Sequence, residues 1–343
     1  MFDFLSLLQS HGITYRENLF LRDVTYFKRG GICKLYVMPF SVDQLVTVIE
    51  IMNKFEQDYK VVGGTANVLF CDEDFYGTII STSNIKGISQ TNDSISVCCG
   101  ESVKSFVNYC SINGIAGFEG LEGIPGTMGG AIFMNAGAYG YEVSDHIISV
   151  TFLNKNGKLC EADKMACKFD YRYSIFRDEP LVILSAKFHM QLTDSRLIRE
   201  KISKYHIARH VYQEWSTPTL GSLISIDKDI YAEVFSGTRY SLICFLLKLI
   251  FKNRLSKFLS RKNPNNKIFN FLVKRFMKKY CISLGNINYK TIQFSEKSMN
   301  ILVNSGTYSD QDYVDHINLV SKMVGMEYTV ENELIRGWMI EKK

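Results

Sequence analysis

A chain of 343 residues, 46% of them hydrophobic and 22% charged, has the composition of a soluble protein and the length for two or three domains. Its nine cysteines form no CxxC pair, which argues against a disulfide framework or a zinc site and favours reduced thiols in a cytosol. The N-terminus lacks the basic start and apolar core of a signal peptide, so we expect a cytoplasmic protein that binds no metal.

Residues 1–82 predict a first α/β unit. Ser41 and Gln44 form a capping box, and apolar residues follow them at helical spacing. Strands are indicated at Lys34–Phe40, Tyr59–Val62 and Gly77–Thr82.

Residues 83–205 predict a second α/β unit. One helical face begins at Val103 and ends at Asn113-Gly114, and Asn156-Gly157 marks a hairpin turn. Strands are indicated at Ser94–Cys99, Val150–Leu153, Leu159–Ala162 and Leu181–Leu192.

Residues 206–343 predict a third unit, interrupted by an insertion near residues 235–282. Ser309 is placed to cap a helix, with Asp310 and Asp312 favourable in its first turn. The tail after this helix contains Val-Glu-Asn-Glu-Leu at residues 330–334.

Glycine is concentrated in Gly117–Glu142, GFEGLEGIPGTMGGAIFMNAGAYGYE, which is too apolar for a flexible linker. It is either a buried, turn-rich loop or a backbone that lies close to a large ligand and directs N–H groups at negatively charged oxygens. A second stretch, Tyr59–Phe70, passes through Gly63 and Gly64. Neither contains the GxGxxG of dinucleotide-binding folds or the GxxxxGK[ST] of P-loops, so a phosphate-rich ligand requires another fold.

The longer stretch resembles the flavin-binding signature of the bacterial UDP-N-acetylenolpyruvoylglucosamine reductase family, GxExLxGIPGTxGGAxxMNAGAYGxE. Val62–Leu69 is similar to the family's LGGGSNLL, Thr25–Gly31 to its TTFRIGG, and Tyr171–Phe176 to its YRxSxF. The resemblance covers nearly the whole chain outside residues 235–282.

This resemblance implies an α+β fold. Two subdomains, residues 1–82 and 83–205, would bind FAD in the manner of vanillyl-alcohol-oxidase-like flavoproteins, and residues 206–343 would form a C-terminal α+β substrate domain. The implied reaction passes hydride from NADPH to FAD and then to an enolpyruvyl ether, forming UDP-N-acetylmuramate for peptidoglycan. The implied cofactors are FAD and NADPH, and the implied partner is a nucleotide-sugar substrate.

The flavin motifs identify residues expected to contact FAD. Backbone N–H groups in the Gly63-Gly64 turn can meet the pyrophosphate without a lysine, and the glycines of the longer stretch let backbone lie against the cofactor. The expected cofactor-binding residues are Val62, Gly63, Gly64, Thr65, Ala66, Asn67, Gly126, Thr127, Gly129, Gly130, Asn135, Gly137, Ala138 and Tyr139.

Three residues are expected to be catalytic by the same resemblance. Arg172 of the YRxSxF motif would stabilise a developing enolate. Glu333 matches the second acid of the family's LEPEV tail, so it is carried over and Glu331 is not. Ser222 follows Pro-Thr-Leu-Gly as in the family's P(S/T)AGS, and its hydroxyl would protonate C2 after hydride reaches C3. The residues expected to bind substrate are Tyr171, Arg209 and Gln213.

Two departures from the family pattern bear on the substrate. Ser225 occupies a position where the family has Lys, and Ser298 one where it has His. They leave open a divergent flavin oxidoreductase that acts on another nucleotide sugar in surface-polysaccharide synthesis, or a non-catalytic flavoprotein.

Positive charge is concentrated in residues 239–280, which hold twelve Lys or Arg and no Asp or Glu. Basic segments with Phe and Leu faces can lie on an anionic membrane surface. A basic face for a diphosphate substrate and a helical hairpin packed on the third domain are the other interpretations. No nucleic-acid recognition module accompanies the charge, so no nucleic-acid partner is expected.

Overall fold

The structure is a computed structural model that describes residues 2–225 and, beyond them, 241–243, 245–246, 275, 295, 300–304, 306, 309–315, 317 and 329–337. Most of the basic segment 239–280 lies outside the described residues, as does Ser298. The domain boundaries at 82/83 and 205/206 stay a proposal. Within the described ranges, no helix combines the length and apolar character needed to cross a bilayer.

The described chain alternates helices with mostly short strands. The labelled helices are α1 Phe2–Ser10, α2 Val42–Lys54, α3 Val103–Ile112, α4 Met128–Phe133 and α5 Ser195–Tyr212. The strands are β1 Thr14–Phe20, β2 Ile32–Met38, β3 Tyr59–Val62, β4 Val68–Phe70, β5 Phe75–Ser81, β6 Ile88–Gln90, β7 Ser94–Cys98, β8 Ile115–Ala116, β9 Gly137–Ala138, β10 Tyr141–Glu142, β11 Ile147–Leu153, β12 Leu159–Asp163, β13 Val182–His189, β14 Gln191–Leu192, β15 Ile224–Ser225, β16 Thr329–Val330 and β17 Glu333–Ile335.

The first sheet has the order β1-β2-β5-β3. The β1/β2 pair is antiparallel, whereas β2, β5 and β3 run parallel. Helix α2 begins where the capping box predicts, because the Ser41 hydroxyl accepts a hydrogen bond from the Gln44 backbone at 3.1 Å. Strand β2 starts at Ile32, two residues before the predicted start, because Ile32 pairs with both Phe20 and Phe75.

The second sheet is antiparallel throughout, with the order β12-β11-β13-β7-β6. The predicted hairpin between β11 and β12 is present, and its Gly157 adopts a φ of +75°, which glycine tolerates. The long strand predicted at Leu181–Leu192 is wrong in its extent. It ends at His189, and β14 pairs instead with β8 in a separate two-stranded sheet.

One apolar core joins the two sheets, so their relative position is fixed. Its buried members include Val37 and Ile80 from the first sheet and Val97 and Phe188 from the second. Phe106 of α3 packs edge-on against Phe118 with ring centroids 4.9 Å apart. Loops that leave the two sheets are thereby held in a constant relation to each other.

The tail of the chain returns to the first unit. Strand β17 pairs in parallel with β4, and β16 pairs with β15 directly after the Ser222 segment. The helix predicted after Ser309 is present over residues 310–315, and the Ser309 hydroxyl accepts a hydrogen bond from the Asp312 backbone at 3.2 Å. Helices α1, α4 and α5 are not predicted by the sequence pattern.

Candidate functional site

The two glycine stretches meet across the two sheets. A side-chain carbon added to Gly64 would lie 2.8 Å from Gly126 Cα, and one added to Gly63 would collide with Thr127 Oγ1. Real side-chain carbons do not come this close to another backbone, so Gly64 requires glycine, whereas a side chain at Gly63 would have to displace the Thr127 hydroxyl. The surface formed there consists of backbone from two distant parts of the chain.

The turn after Gly64 is held in an uncommon conformation by the third motif of the resemblance. Thr65 has a φ of +52°, and its hydroxyl accepts a hydrogen bond from the Tyr26 backbone at 2.9 Å. Left-handed conformations in residues other than glycine are uncommon and need support from their surroundings. The Thr25–Gly31 motif therefore supports the turn that is expected to face the cofactor.

Arg172 lies at the junction of the longer glycine stretch and the tail. Its φ is +53°, its Nη2 donates to the Gly137 carbonyl at 2.9 Å, and its Nε lies 3.4 Å from Glu331 Oε2. Its guanidinium carbon lies 4.8 Å from the ring centroid of Tyr171. Both residues were predicted as site residues, and the structure places them side by side.

The tail also joins the turn that contains Asn67. The Glu333 backbone donates to the Asn67 carbonyl at 2.9 Å, and the Asn67 side chain donates to the Glu331 carbonyl at 2.6 Å. A predicted cofactor residue and a predicted catalytic residue are therefore hydrogen-bonded neighbours.

Sequence reasoning missed Arg177. One of its nitrogens donates to the Arg172 carbonyl at 2.8 Å, and another forms an ion pair with Glu333. A charge-assisted hydrogen bond of this kind is stronger than a neutral one and fixes the carboxylate in place. The only sequence signal is a basic residue just after the YRxSxF motif, and charge at a surface turn has no specificity by itself.

The tail provides two ion pairs, because Arg172 contacts Glu331 while Arg177 contacts Glu333. Burial raises the pKa of Glu331, and the nearby Arg172 offsets only part of that effect. The catalytic role of Glu333 stays a prediction, and Glu331 joins the site as the described carboxylate partner of Arg172.

Ser222 lies in a segment that the tail holds directly. The Glu331 backbone donates to the Leu223 carbonyl at 3.0 Å, one residue beyond Ser222. The tail thus contacts the Ser222 segment, the Asn67 turn and both arginines, and it brings together the elements that carry all three predicted catalytic residues.

Arg209 is a buried cation with unused donors. Only 7% of the residue is exposed, and neither Nε nor Nη2 has a hydrogen-bond partner among the described residues. Its guanidinium carbon lies 5.5 Å from the ring centroid of Tyr139, which stacks on Tyr205. Burial lowers the pKa of Arg209, with opposing contributions from Tyr139 and Glu122. A buried guanidinium with free N–H groups suits a bound anion such as a diphosphate.

Two of the predicted cofactor residues have structural roles inside the protein. Asn135 is fully buried, and its amide donates to Glu142 Oε2 at 2.8 Å and to the Asp170 carbonyl at 2.9 Å. A side-chain carbon on Gly129 would lie 2.9 Å from the Cβ of Cys99. Internal hydrogen bonds explain the presence of Asn135, and close packing explains that of Gly129. A direct contact between either residue and a cofactor stays a prediction.

A cavity of about 470 Å³ opens beside Gly64 and the Thr25–Lys28 segment. Its wall includes the half-exposed rings of Tyr26 and Trp215, together with Lys28 and Glu214. Burial raises the pKa of Glu214, but hydrogen bonds from Ser216, Ser295 and the backbone outweigh it, so the pKa is lowered overall. Aromatic faces, a cation and a carboxylate suit the base, phosphate and hydroxyl groups of a nucleotide.

These features fit FAD and a nucleotide-bearing substrate. The Gly64–Gly126 contact provides backbone without side chains, and the unused donors of Arg209 provide for an anion. The residues expected to hold FAD are those of the 62–67 turn and of the 126–139 stretch.

Comparison with known proteins agrees with this assignment. The family described as FAD binding domain matches residues 33–163. A UDP-N-acetylenolpyruvoylglucosamine reductase from Caldicellulosiruptor saccharolyticus is 31% identical over 218 residues, which cover 63% of this chain and 70% of that protein. A second such reductase, from Bacillus cereus, is 26% identical over 333 residues, covering 97% and 95% of the two chains.

The fold is shared with a solved structure. The crystal structure of UDP-N-acetylenolpyruvylglucosamine reductase from Thermus caldophilus superimposes with a TM-score of 0.65 at 17% identity, covering 94% of this chain and 98% of that one. The predicted α+β FAD-binding fold is thereby confirmed. The identity and coverage of the relatives show that this chain belongs to the UDP-N-acetylenolpyruvoylglucosamine reductase family.

Proposed function

We propose that the protein is an FAD-dependent oxidoreductase that uses NADPH to reduce the enolpyruvyl ether of UDP-N-acetylglucosamine enolpyruvate. The product would be UDP-N-acetylmuramate, a precursor of peptidoglycan. The observation that carries the proposal, beyond family membership, is the tail over residues 331–333. It contacts the Asn67 turn, the Arg172 and Arg177 side chains, and the Ser222 segment at once.

Each residue has a distinct task in this reaction. FAD, when bound and reduced by NADPH, would supply the hydride that reaches C3 of the enolpyruvyl group. Addition at C3 leaves enolate character at C2, where the Ser222 hydroxyl donates a proton. Arg172 holds and polarises the substrate carboxyl group, and Glu333, held in place by Arg177, acts in the same half-reaction. The buried Arg209, together with Tyr171 and Gln213, binds the nucleotide-sugar diphosphate.

The first test is spectroscopic. The purified protein is expected to be yellow, to bind FAD non-covalently and to lose flavin absorbance when NADPH is added. UDP-N-acetylglucosamine enolpyruvate should then restore the absorbance. A protein that takes up no FAD contradicts the cofactor assignment, whereas one that is bleached and is not reoxidised by this acceptor contradicts the substrate assignment alone.

The residues at positions 225 and 298 are a reason to compare different nucleotide sugars as substrates. Where the family pattern has Lys and His, this chain has two hydroxyl side chains, so the positive charge of the Lys position is lost. Other nucleotide sugars with an unsaturated acid group should therefore be tested as acceptors beside the UDP-linked one. Faster reoxidation by one of them would favour the alternative in which the enzyme acts on another nucleotide sugar.

The basic segment 239–280 supports a proposal of peripheral binding to an anionic membrane surface. Its charge is a sequence observation, since most of the segment lies outside the described residues. Charge–surface attraction is screened over ~8–10 Å at physiological salt, so co-sedimentation with anionic vesicles should weaken as salt rises. Equal recovery in the supernatant with anionic and neutral vesicles would contradict it.

A further inference from the structure

Asn332 lies between the two acidic residues of the tail, at the position where the family's LEPEV pattern has proline. Its side-chain nitrogen has two N–H groups, which are shared among three oxygens: Asn67 Oδ1 at 2.8 Å, the Leu220 carbonyl at 3.0 Å and the Ser222 carbonyl at 3.3 Å. Its side-chain oxygen accepts a hydrogen bond from the Tyr313 hydroxyl at 3.1 Å. One amide therefore contacts three separate parts of the chain.

The orientation of this amide is set by its neighbours. Asn67 uses its own side-chain nitrogen to donate to the Glu331 carbonyl at 2.6 Å, which leaves its Oδ1 as the acceptor for Asn332. The Tyr313 hydroxyl fixes the oxygen of Asn332 on the opposite side. An amide with both ends engaged in this way orders the groups that it contacts.

The two ends of this link have different tasks in the proposed reaction. Asn67 belongs to the turn expected to hold FAD, and Ser222 is the expected proton donor. A proline ring at position 332 has no amide side chain and could form neither contact. This chain thus has a side-chain link at a position where the family pattern has none.

We propose that Asn332 is a positioning residue that couples the flavin-binding turn to the proton-donor segment. The inference rests on the proposed function for the role of Ser222. Catalysis is sensitive to the placement of a general acid, and a displacement of about 1 Å can cost ~10²-fold in rate. Loss of the Asn332 amide should release both the Asn67 turn and the Ser222 carbonyl.

Asn300 provides a matched comparison, because it holds the same segment from a different side. Its side-chain oxygen accepts from the Ile224 backbone at 3.1 Å and its nitrogen donates to the Ile224 carbonyl at 2.8 Å. These contacts anchor the residues after Ser222 and do not involve the Asn67 turn. Asn300→Ala should therefore loosen the serine segment without affecting the flavin turn.

The experiment compares Asn332→Ala and Asn300→Ala with the unmodified full-length protein in FAD titrations and stopped-flow absorbance. Asn332→Ala should weaken FAD binding roughly tenfold, as expected when a partly buried acceptor loses its donor. At saturating FAD it should slow reoxidation by UDP-N-acetylglucosamine enolpyruvate ~10–100-fold, while bleaching by NADPH stays near the unmodified rate. Asn300→Ala should slow reoxidation and keep the FAD affinity.

Unchanged FAD affinity in Asn332→Ala, or equal loss of affinity in both variants, would overturn the coupling. If Asn332→Ala does not fold, Asn332→Pro installs the residue of the family pattern, also removes the amide, and is read in the same way. Failure of the unmodified protein to be reoxidised refutes the proposed substrate. The FAD titrations still decide the coupling in that case, because they need no acceptor.

Discussion

The candidate site has two faces that are built by different means. The Gly64–Gly126 contact is backbone against backbone, with no room for a side chain. The face formed by the tail also depends on side chains, with ion pairs that join residues 159 and 156 positions apart in the chain. The first face suits a cofactor whose position must not vary, and the second suits groups that act on a charged substrate.

This difference predicts how each face responds to substitution. At the backbone contact any added carbon disrupts the structure, because it must displace the opposing chain. Loss of one residue of an ion pair is less disruptive, because the other residue keeps its charge and its remaining hydrogen bonds. Substitutions at the Gly64–Gly126 contact should therefore abolish cofactor binding, whereas those in the tail should lower rates or weaken binding by measurable factors.

The largest effect is expected for Gly64→Ala. The added carbon would lie 2.8 Å from Gly126 Cα, so the two stretches must separate and FAD uptake should be lost. Gly130→Ala adds the same carbon at another expected cofactor residue without a clash, since that carbon would meet Thr127 Oγ1 at an ordinary 3.6 Å, so any loss of uptake there reports contact with FAD alone. FAD titration by fluorescence should distinguish them, and normal uptake by Gly64→Ala would show that the contact is not needed.

Ser222→Ala should affect only one half of the reaction. Bleaching of the flavin by NADPH requires no proton on a carbon acceptor, so it should proceed at nearly the unmodified rate. Reoxidation by substrate should slow ~10²–10⁴-fold, the usual value of general acid catalysis. Slower bleaching, or unchanged reoxidation with an acceptor that turns over, would rule out Ser222 as the proton donor.

Arg177→Met should produce a smaller loss, about 10–100-fold in the rate of reoxidation. The substitution leaves Glu333 without its charged partner, and a hydrogen bond to a charged group is worth ~1.5–3 kcal/mol. Arg177→Lys should recover part of the rate. The same change at Arg196, whose ion pair with Asp194 is exposed and 3.9 Å long, should have no effect. Equal behaviour of the two Met variants would deny Arg177 a positioning role.

The smallest effect concerns the pH dependence of stability. The contributions of Glu331 and Glu214 to stability should change in opposite directions as pH rises. The pKa of Glu331 is raised by burial above the usual value of 4.5, so Glu331 makes the protein less stable as pH rises through that raised pKa. The pKa of Glu214 is lowered, because its hydrogen bonds outweigh burial. Its contribution is present above pH 4.5 and is lost as pH falls through the lowered pKa.

Urea unfolding of Glu331→Gln and Glu214→Gln between pH 3 and pH 8 measures this difference. Relative to the unmodified protein, Glu331→Gln should gain stability as pH rises. Glu214→Gln should lose stability over its own lower range as pH rises. Parallel curves for the two variants would contradict the opposite pKa directions.

Local signals in the sequence predicted the parts of the fold that depend on neighbours along the chain. Ser41 and Ser309 cap helices because the hydroxyl reaches an N–H three residues ahead, whatever the rest of the protein does. The Asn156-Gly157 turn needs only a residue that accepts a positive φ. The flavin motifs, too, are contiguous runs, and they identified the family that the comparisons show.

Only the tertiary structure decided which charges meet. Glu331 and Glu333 are two residues apart in the same short segment, yet one pairs with Arg172 and the other with Arg177. The choice depends on the parallel register of β17 against β4, which sets Glu333 beside Val68, and register is a long-range property that no local pattern encodes. The end of β13 at His189 and the link from Asn332 to Asn67 and Ser222 also depend on contacts between segments that are distant in the sequence. The sequence by itself determined the family, the flavin stretches and the helix caps, whereas strand pairing between distant segments determined the contacts on which the proposed chemistry depends.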